Sequence, residues 1–177
     1  MQPDAQAVGV NAHPQRGAYS LRPARAGDQA PIRRLVYQAR LNPRSLDWRR
    51  FVVAVDATER VVGCGQIKPH RDGSRELASI VVHPGWREGG VASALLEHLL
   101  RTGPPLWLVC RARLAPFYQR FGFREVLAPT ASSPHFRRIL RFGQWLKRIV
   151  PPGQAPCVMV WVATNPAPSE TARLQAE

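Results

Sequence analysis

Residues 76–100, ELASIVVHPGWREGGVASALLEHLL, decide how the rest of the chain is read. Glu76 to Val82 is rich in β-branched residues and runs into Pro84, the mark of a strand that stops in a loop. Arg87-Glu88-Gly89-Gly90-Val91-Ala92 follows, and then a helical pattern in which Val91, Leu95 and Leu99 share one stripe flanked by Ala94 and Leu96. The order is strand, glycine loop, helix. A helix start leaves four N–H groups without partners and carries partial positive charge, so it attracts an anion such as a phosphate. Glycine lets the backbone come close to that anion because no Cβ intervenes. The loop lacks the Lys-Ser/Thr pair of a P-loop and the G-x-G-x-x-G spacing of a dinucleotide fold.

Upstream, Ala18 to Pro23 reads as a first strand, and Gly27-Asp28 starts a helix with Ile32, Leu35, Val36 and Ala39 on its buried stripe, ending before Asn42-Pro43. Phe51 to Asp56 and Val61 to Lys68 are β-like runs joined by Ala57 to Arg60 as a hairpin, and Asp72-Gly73 turns the chain into residues 76–82. Three antiparallel strands therefore feed the glycine loop. Downstream, Gly103-Pro104-Pro105 ends the helix and Leu106 to Cys110 reads as a strand. In the run from Leu114 to Phe123, Pro116 fits a first helical turn and Gly122 a C-cap, so a short helix precedes a strand from Phe123. A final strand spans Cys157 to Val162.

Between these last strands, residues 126–169 hold no acidic residue. Phe136, Ile139, Leu140, Leu146, Ile149 and Val150 recur there at helical spacing, and Arg137, Arg141 and Arg148 share the opposite face, with Arg138 and Lys147 nearby. The pattern predicts a basic amphipathic helix over 135–150. It reads as a helix packed on the sheet with a solvated basic face, a lid over an acceptor site, or a docking face for an anionic surface.

Arg87, Gly90 and Ala92, preceded by Ile80-Val81-Val82-His83-Pro84, match Arg/Gln-x-x-Gly-x-Gly/Ala, the central motif of the GNAT superfamily of N-acetyltransferases. Phe117, Tyr118, Gly122 and Phe123 match its second motif, F-Y-x-x-x-G-F. The chain resembles that superfamily from Ala18 to Val126 and again at the final strand. The resemblance implies an α/β (α+β) fold: a mixed, mostly antiparallel central sheet flanked by helices, with the basic amphipathic helix inserted before the last strand. It implies an acetyltransferase domain over 18–163, between a tail at 1–17 expected to be disordered and a flexible tail at 164–177.

The chemistry implied by the resemblance is acetyl transfer from acetyl-CoA to an amine, with no metal. The backbone of Arg87, Glu88, Gly89, Gly90, Val91, Ala92 and Ser93 would cradle the pyrophosphate. Val81 and Val82 would offer backbone groups to the pantetheine arm, one N–H polarising the thioester carbonyl. Tyr118 resembles the tyrosine that protonates the departing thiolate, and Glu76 the glutamate that deprotonates the amine. Each has a plainer reading, as a core aromatic and an ion-paired surface acid. Asn42, Asp47 and Trp48 fall beside the implied acceptor pocket, or form a capped turn with a packed tryptophan. Glu88 stands where glycine is frequent and would oppose phosphate unless it points outward. Arg111 and Leu114 replace the asparagine and alanine of many members.

Composition sets limits on partners. The 177 residues carry a formal net charge of +13, with a sequence pI near 11.4. Such charge calls for phosphorylated or anionic partners and disfavours a polyamine as acceptor. An amino-acid, aminosugar or protein amine fits; no nucleic-acid motif accompanies the charge, and a homodimer is left open. Cys64, Cys110 and Cys157 show no C-x-x-C or metal spacing and read as free thiols in a reducing, cytoplasmic setting, with Cys110 near enough to a strand end to line a site. No signal-peptide core and no run of about 18 apolar residues is present. The competing function class is a non-catalytic CoA-binding or basic docking module.

Overall fold

The structure is a computed structural model that describes residues 8–13, 17–128, 133–146, 149–151 and 153–162. Its strands are β1 (Val8–His13), β2 (Gly17–Pro23), β3 (Phe51–Asp56), β4 (Val61–Pro69), β5 (Arg75–Val82), β6 (Leu106–Arg111), β7 (Arg124–Glu125) and β8 (Pro156–Trp161). The helices are α1 (Gln29–Gln38), α2 (Val91–Leu100), α3 (Ala115–Gln119) and α4 (Pro134–Leu146). One sheet holds all eight strands in the order β1-β2-β3-β4-β5-β6-β8-β7. Every neighbouring pair is antiparallel except β5 with β6. The expected mixed, mostly antiparallel sheet, and the helix inserted before the last strand, are both present.

One expectation is corrected. Residues 8–13, read as part of a disordered tail, form β1, paired antiparallel to β2 with Val8 opposite Leu21 and His13 opposite Gly17. An edge strand is held by backbone hydrogen bonds and needs no apolar alternation, so composition gives no sign of it. The expected tail at 164–177, together with Lys147 and Arg148, lies outside the described residues.

Alternation along the strands sorts the core. One face carries Val52, Ala54, Val62, Leu77, Leu106, Leu108, Cys157 and Met159, covered by Val91, Leu95, Leu96 and Leu99 of α2 and by Ala115 of α3. The other face is covered twice. Ile32, Leu35 and Val36 of α1 lie over Val53, Val55, Cys64 and Val81, and Phe136 and Leu140 of α4 lie over Trp107 and Val158. The Phe136 and Trp107 rings stack at 5.0 Å. α1 and α4 thus share a face and stand on either side of β5.

Two features set the position of α2. A Cβ on Gly65 would come within 2.4 Å of Ile80 Cδ1 and 2.9 Å of Leu99 Cδ1, so a larger residue in β4 would push the Ile80 and Leu99 side chains out of their present packing. At the far end the Arg75 guanidinium donates to the carbonyls of Thr102 and Gly103 at 3.1 and 2.7 Å, tying the turn that follows the helix to the start of β5.

Candidate active site

β5 is interrupted. Cys64 pairs with Val81 and Gln66 with Ala78, so Ser79 and Ile80 together oppose Gly65. Ser79 has φ +56°, a left-handed conformation that costs a serine energy and marks a β-bulge. The bulge shifts the alternation: Leu77 before it and Ile80 and Val82 after it pack toward α2, while Val81 packs toward α1. The Gln66 side chain is buried at the bulge and donates through Nε2 to Ser79 Oγ at 3.1 Å. Its Oε1 has no partner among the described residues.

On its other side β5 pairs with β6 only where Glu76 opposes Trp107. Pairing stops near the start of β5, and both strands run on toward their carboxyl ends without it. A crevice outside the carboxyl ends of parallel strands is the usual ligand position in α/β sheets. Val81 and Val82 lie on one lip of this split, and Cys110 and Arg111 end the other strand.

The glycine loop closes the open end. Pro84–Trp86 is a single 3₁₀ turn in which Gly85 N–H donates to His83 Nδ1 at 3.2 Å. Trp86 is buried edge-on against Tyr19, with ring centroids 6.4 Å apart, and anchors the loop. Glu88 and Gly90 both take positive φ, +68° and +77°. A left-handed residue at 88 explains why glycine suits that position. Arg87 and Glu88 are exposed, so the Glu88 carboxylate stands out toward solvent. α2 starts at Val91 with no side-chain cap at Gly90 and no acid in its first turn. Its first helical bond runs from Ala94 N–H to Gly90 C=O at 2.9 Å, which leaves the amides of Val91, Ala92 and Ser93 without intrahelical partners.

Tyr118 follows β6 through α3, on the α2 side of the sheet. Its ring meets Phe117 and Phe123 edge-on at 5.1 and 6.0 Å. No hydrogen bond engages its hydroxyl among the described residues, and burial, aided by Cys110, pushes the phenol well above its ordinary value. At neutral pH the group keeps its proton, the form that can donate one.

Glu76 lies on the opposite face, at the closed end of the split. Its Oε2 is 2.8 Å from His70 Nε2, and both side chains are largely buried, 14% and 9% exposed. The His70 ring stacks on His135 of α4 at 3.7 Å and 22°. Burial, reinforced by His70, holds His135 below the usual imidazole value, so it is neutral at pH 7. His70, Glu76 and His135 offer ligand atoms within 4.8 Å of one another. From Glu76 to Val81 is five residues, roughly 16 Å along a strand. The site is therefore divided: Tyr118 belongs to the open mouth, and Glu76 to the floor between α1 and α4.

Other sequence-selected residues take structural parts. Asn42 Oδ1 accepts from Arg44 N–H at 3.0 Å, and Asp47 Oδ1 caps the turn at Arg49 N–H at 3.2 Å. Trp48 packs beside the α1 cluster with the Arg49 guanidinium 4.9 Å over its ring. Gln29 holds this segment through Leu46 C=O and Trp48 N–H at 2.8 and 3.1 Å. Cys64 is buried and its thiol is pushed up to about 12. Cys110, partly buried opposite Cys157, is lowered by that neighbour's thiol. Gln66, His70 and Trp86 were not singled out by sequence. The first two come into play only through cross-strand register, whereas Trp86, a lone aromatic between Gly85 and Arg87, carried a visible signal.

Residues 47–125 match the family model of the acetyltransferase (GNAT) domain. Similar solved structures share the fold. N-acetylglutamate synthase from Neisseria gonorrhoeae, complexed with coenzyme A and N-acetyl-glutamate, is 17% identical with a TM-score of 0.62, over 81% of this chain and 34% of that one. The chain thus spans about a third of that synthase. Rv2747 from Mycobacterium tuberculosis, in complex with CoA and NLQ, is 22% identical with a TM-score of 0.60, over 80% and 98%. Ard1 from Thermoplasma volcanium is 16% identical with a TM-score of 0.57, over 81% and 98%. Split sheet, glycine loop and second motif sit in the fold that these structures share. The fold of the chain is that of the GNAT acetyltransferases. No helix among the described residues is long and apolar enough to cross a membrane.

Proposed function

We propose that this chain transfers the acetyl group of acetyl-CoA to a primary amine by direct attack. The observation that carries the reading is the split between β5 and β6, with the uncapped start of α2 at its mouth and the unengaged Tyr118 hydroxyl beside it. The pyrophosphate would rest on the amides around Gly90 to Ser93, where an anion meets partial positive charge and no competing acid in the first turn. The pantetheine arm would lie along Val81 and Val82, and an N–H beside the bulge would meet the developing oxyanion.

The amine must be neutral to attack. Glu76 is the base of this reading, working through water or on an acceptor that reaches the floor, and His70 occupies one of its oxygens. Gln66 Oε1, buried on the same face and unpartnered, supplies an acceptor for an amine N–H. When the carbon–sulfur bond breaks, Tyr118 gives its proton to the thiolate. An amino-acid amine is the first acceptor to test, since the similar Neisseria structure contains N-acetyl-glutamate. The free thiols suit a reducing, cytoplasmic setting.

The test is thiol release from acetyl-CoA over a panel of amino acids, aminosugars and peptides, for the wild type and Tyr118→Phe. The expected result is turnover with at least one amine, with kcat about 10²–10⁴-fold lower in the variant and acetyl-CoA affinity unchanged. Acetyl-CoA binding without turnover on any amine would favour the non-catalytic module, and no binding at all would sink the reading.

A further inference from the structure

The outward face of α4 has no part in the chemistry above, and its composition is unusual for a solvated helix. Phe136, Leu140 and Gly143 turn to the sheet. On the other side Arg137, Arg138 and Arg141 are exposed, and none forms an ion pair among the described residues. Among them Phe142 and Trp145 are 58% and 57% exposed. Their rings lie 6.0 Å apart at 34°, a pair in contact with each other. Ile149, in the turn that follows, is 63% exposed. Phe142 and Trp145, at i and i+3, form one apolar patch on the helix, and Ile149 adds a further exposed apolar group in the turn after it. No Asp or Glu occurs between Glu125 and Glu170 to oppose an anionic partner.

We propose that this face docks the protein on an anionic phospholipid bilayer, with α4 lying in the plane of the interface. Arginines level with the headgroups and aromatic and aliphatic side chains entering the acyl boundary are the physical requirements of an interfacial helix. α4 meets both over a length of about 20 Å. The apolar groups decide between anionic partners. A nucleic acid would use the arginines and stack bases on separated rings, but it offers nothing to Ile149 and gains little from two rings already packed together. A bilayer takes all three apolar groups at once. The net charge of +13 draws the whole chain toward the same surface.

The experiment is cosedimentation of the full chain with phosphatidylcholine vesicles, with and without phosphatidylglycerol, across a salt series. Three arginines near an anionic surface predict roughly a hundredfold tighter binding to the mixed vesicles, declining as salt rises. Arg138→Glu with Arg141→Glu should reduce binding to the level on neutral vesicles. Phe142→Ser with Trp145→Ser should weaken it about tenfold or more while keeping its salt dependence. All four side chains are exposed, and unchanged melting and acetyl-CoA binding report an intact fold. Equal binding of the wild type to both vesicles, or double variants that bind as the wild type does, would overturn the proposal. So would single-stranded DNA binding lost on charge reversal with no vesicle binding. If a variant fails to melt cooperatively, the salt series on the wild type decides, and salt-independent binding overturns the idea.

Discussion

Three helices begin beside the sheet, and their first turns are treated differently. At α1 the N-cap residue is itself an acid, Asp28, whose carboxylate makes no bond to the helix but accepts the Arg25 N–H at 2.7 Å in the turn before it. At α4, Asp72 Oδ2, reaching over from the turn between β4 and β5, accepts the His135 N–H at 3.0 Å. α2 receives no carboxylate: a left-handed glycine precedes it and its first turn has no acid. α1 and α4 thus begin beside a carboxylate of the chain, whereas α2 begins beside none, at the split between β5 and β6. What separates a structural helix end from a binding one here is whether the chain supplies the anion itself.

Converting the open start into a closed one should have the largest effect. Gly90→Asp would give α2 its own carboxylate; a Cβ at 90 meets only Tyr19 Oη, at 3.8 Å, but φ +77° strains any side chain there, so Gly90→Asn, with the same backbone strain and no charge, is the control. Calorimetric titration should show acetyl-CoA binding weakened roughly a hundredfold, from the lost anion site and from carboxylate–phosphate repulsion. Retained affinity would mean that the cofactor does not use this helix start.

Opening a closed start should cost stability instead. Arg22 Nη1 pairs with Asp28 Oδ2 at 2.7 Å, with side chains 16% and 10% exposed. Burial raises the Asp28 carboxyl, but the Arg22 hydrogen bond and the Arg25 N–H outweigh it and hold it below its ordinary 3.8. A depressed carboxyl stabilises the fold above its unfolded pKa, and that contribution is lost as pH falls through the folded value. Asp28→Asn should cost about 1–3 kcal/mol near neutrality, and the gap from wild type should close below about pH 4. A constant gap down to pH 2 would rule out the charge as its source.

The smallest effect belongs to the exposed cap. Bonds from Ser74 and from the His135 N–H hold the Asp72 carboxyl far below the usual range. Asp72→Ala should lower the melting temperature slightly, with a difference that likewise fades in acid, while acetyl-CoA affinity stays put. A drop in affinity would show that the two helix starts are coupled.

Much of this was legible in sequence because it is local. Val91, Leu95 and Leu99 are buried as their spacing predicts, and Gly90 adopts the conformation that a glycine there permits. Pro116 and Gly122 bracket α3. What escaped is relational. Glu76 was visible as an acid on a strand, but its bond to His70 depends on a hairpin register that one residue of slip would undo. The amphipathic pattern at 135–150 foretold α4 and its basic face, yet the exposure of Phe142 and Trp145 follows only from how the helix sits on β6 and β8. β1 escaped because edge pairing leaves no side-chain signature.

The bulge at Ser79 bears on which changes this protein tolerates. Between Leu77 and Val82 the strand carries one residue more than its partner, and that residue sets where β5 bends. Deleting Ser79 would leave Ile80 and Val82 toward α2 and Val81 toward α1 while cancelling the kink where β5 leaves β6, whereas straightening the bulge at constant length would turn Val81 toward α2 and Ile80 and Val82 toward α1. Here a single extra residue in a chain of 177 is what bends the strand, so the shape of the site is written in backbone length as well as in side chains.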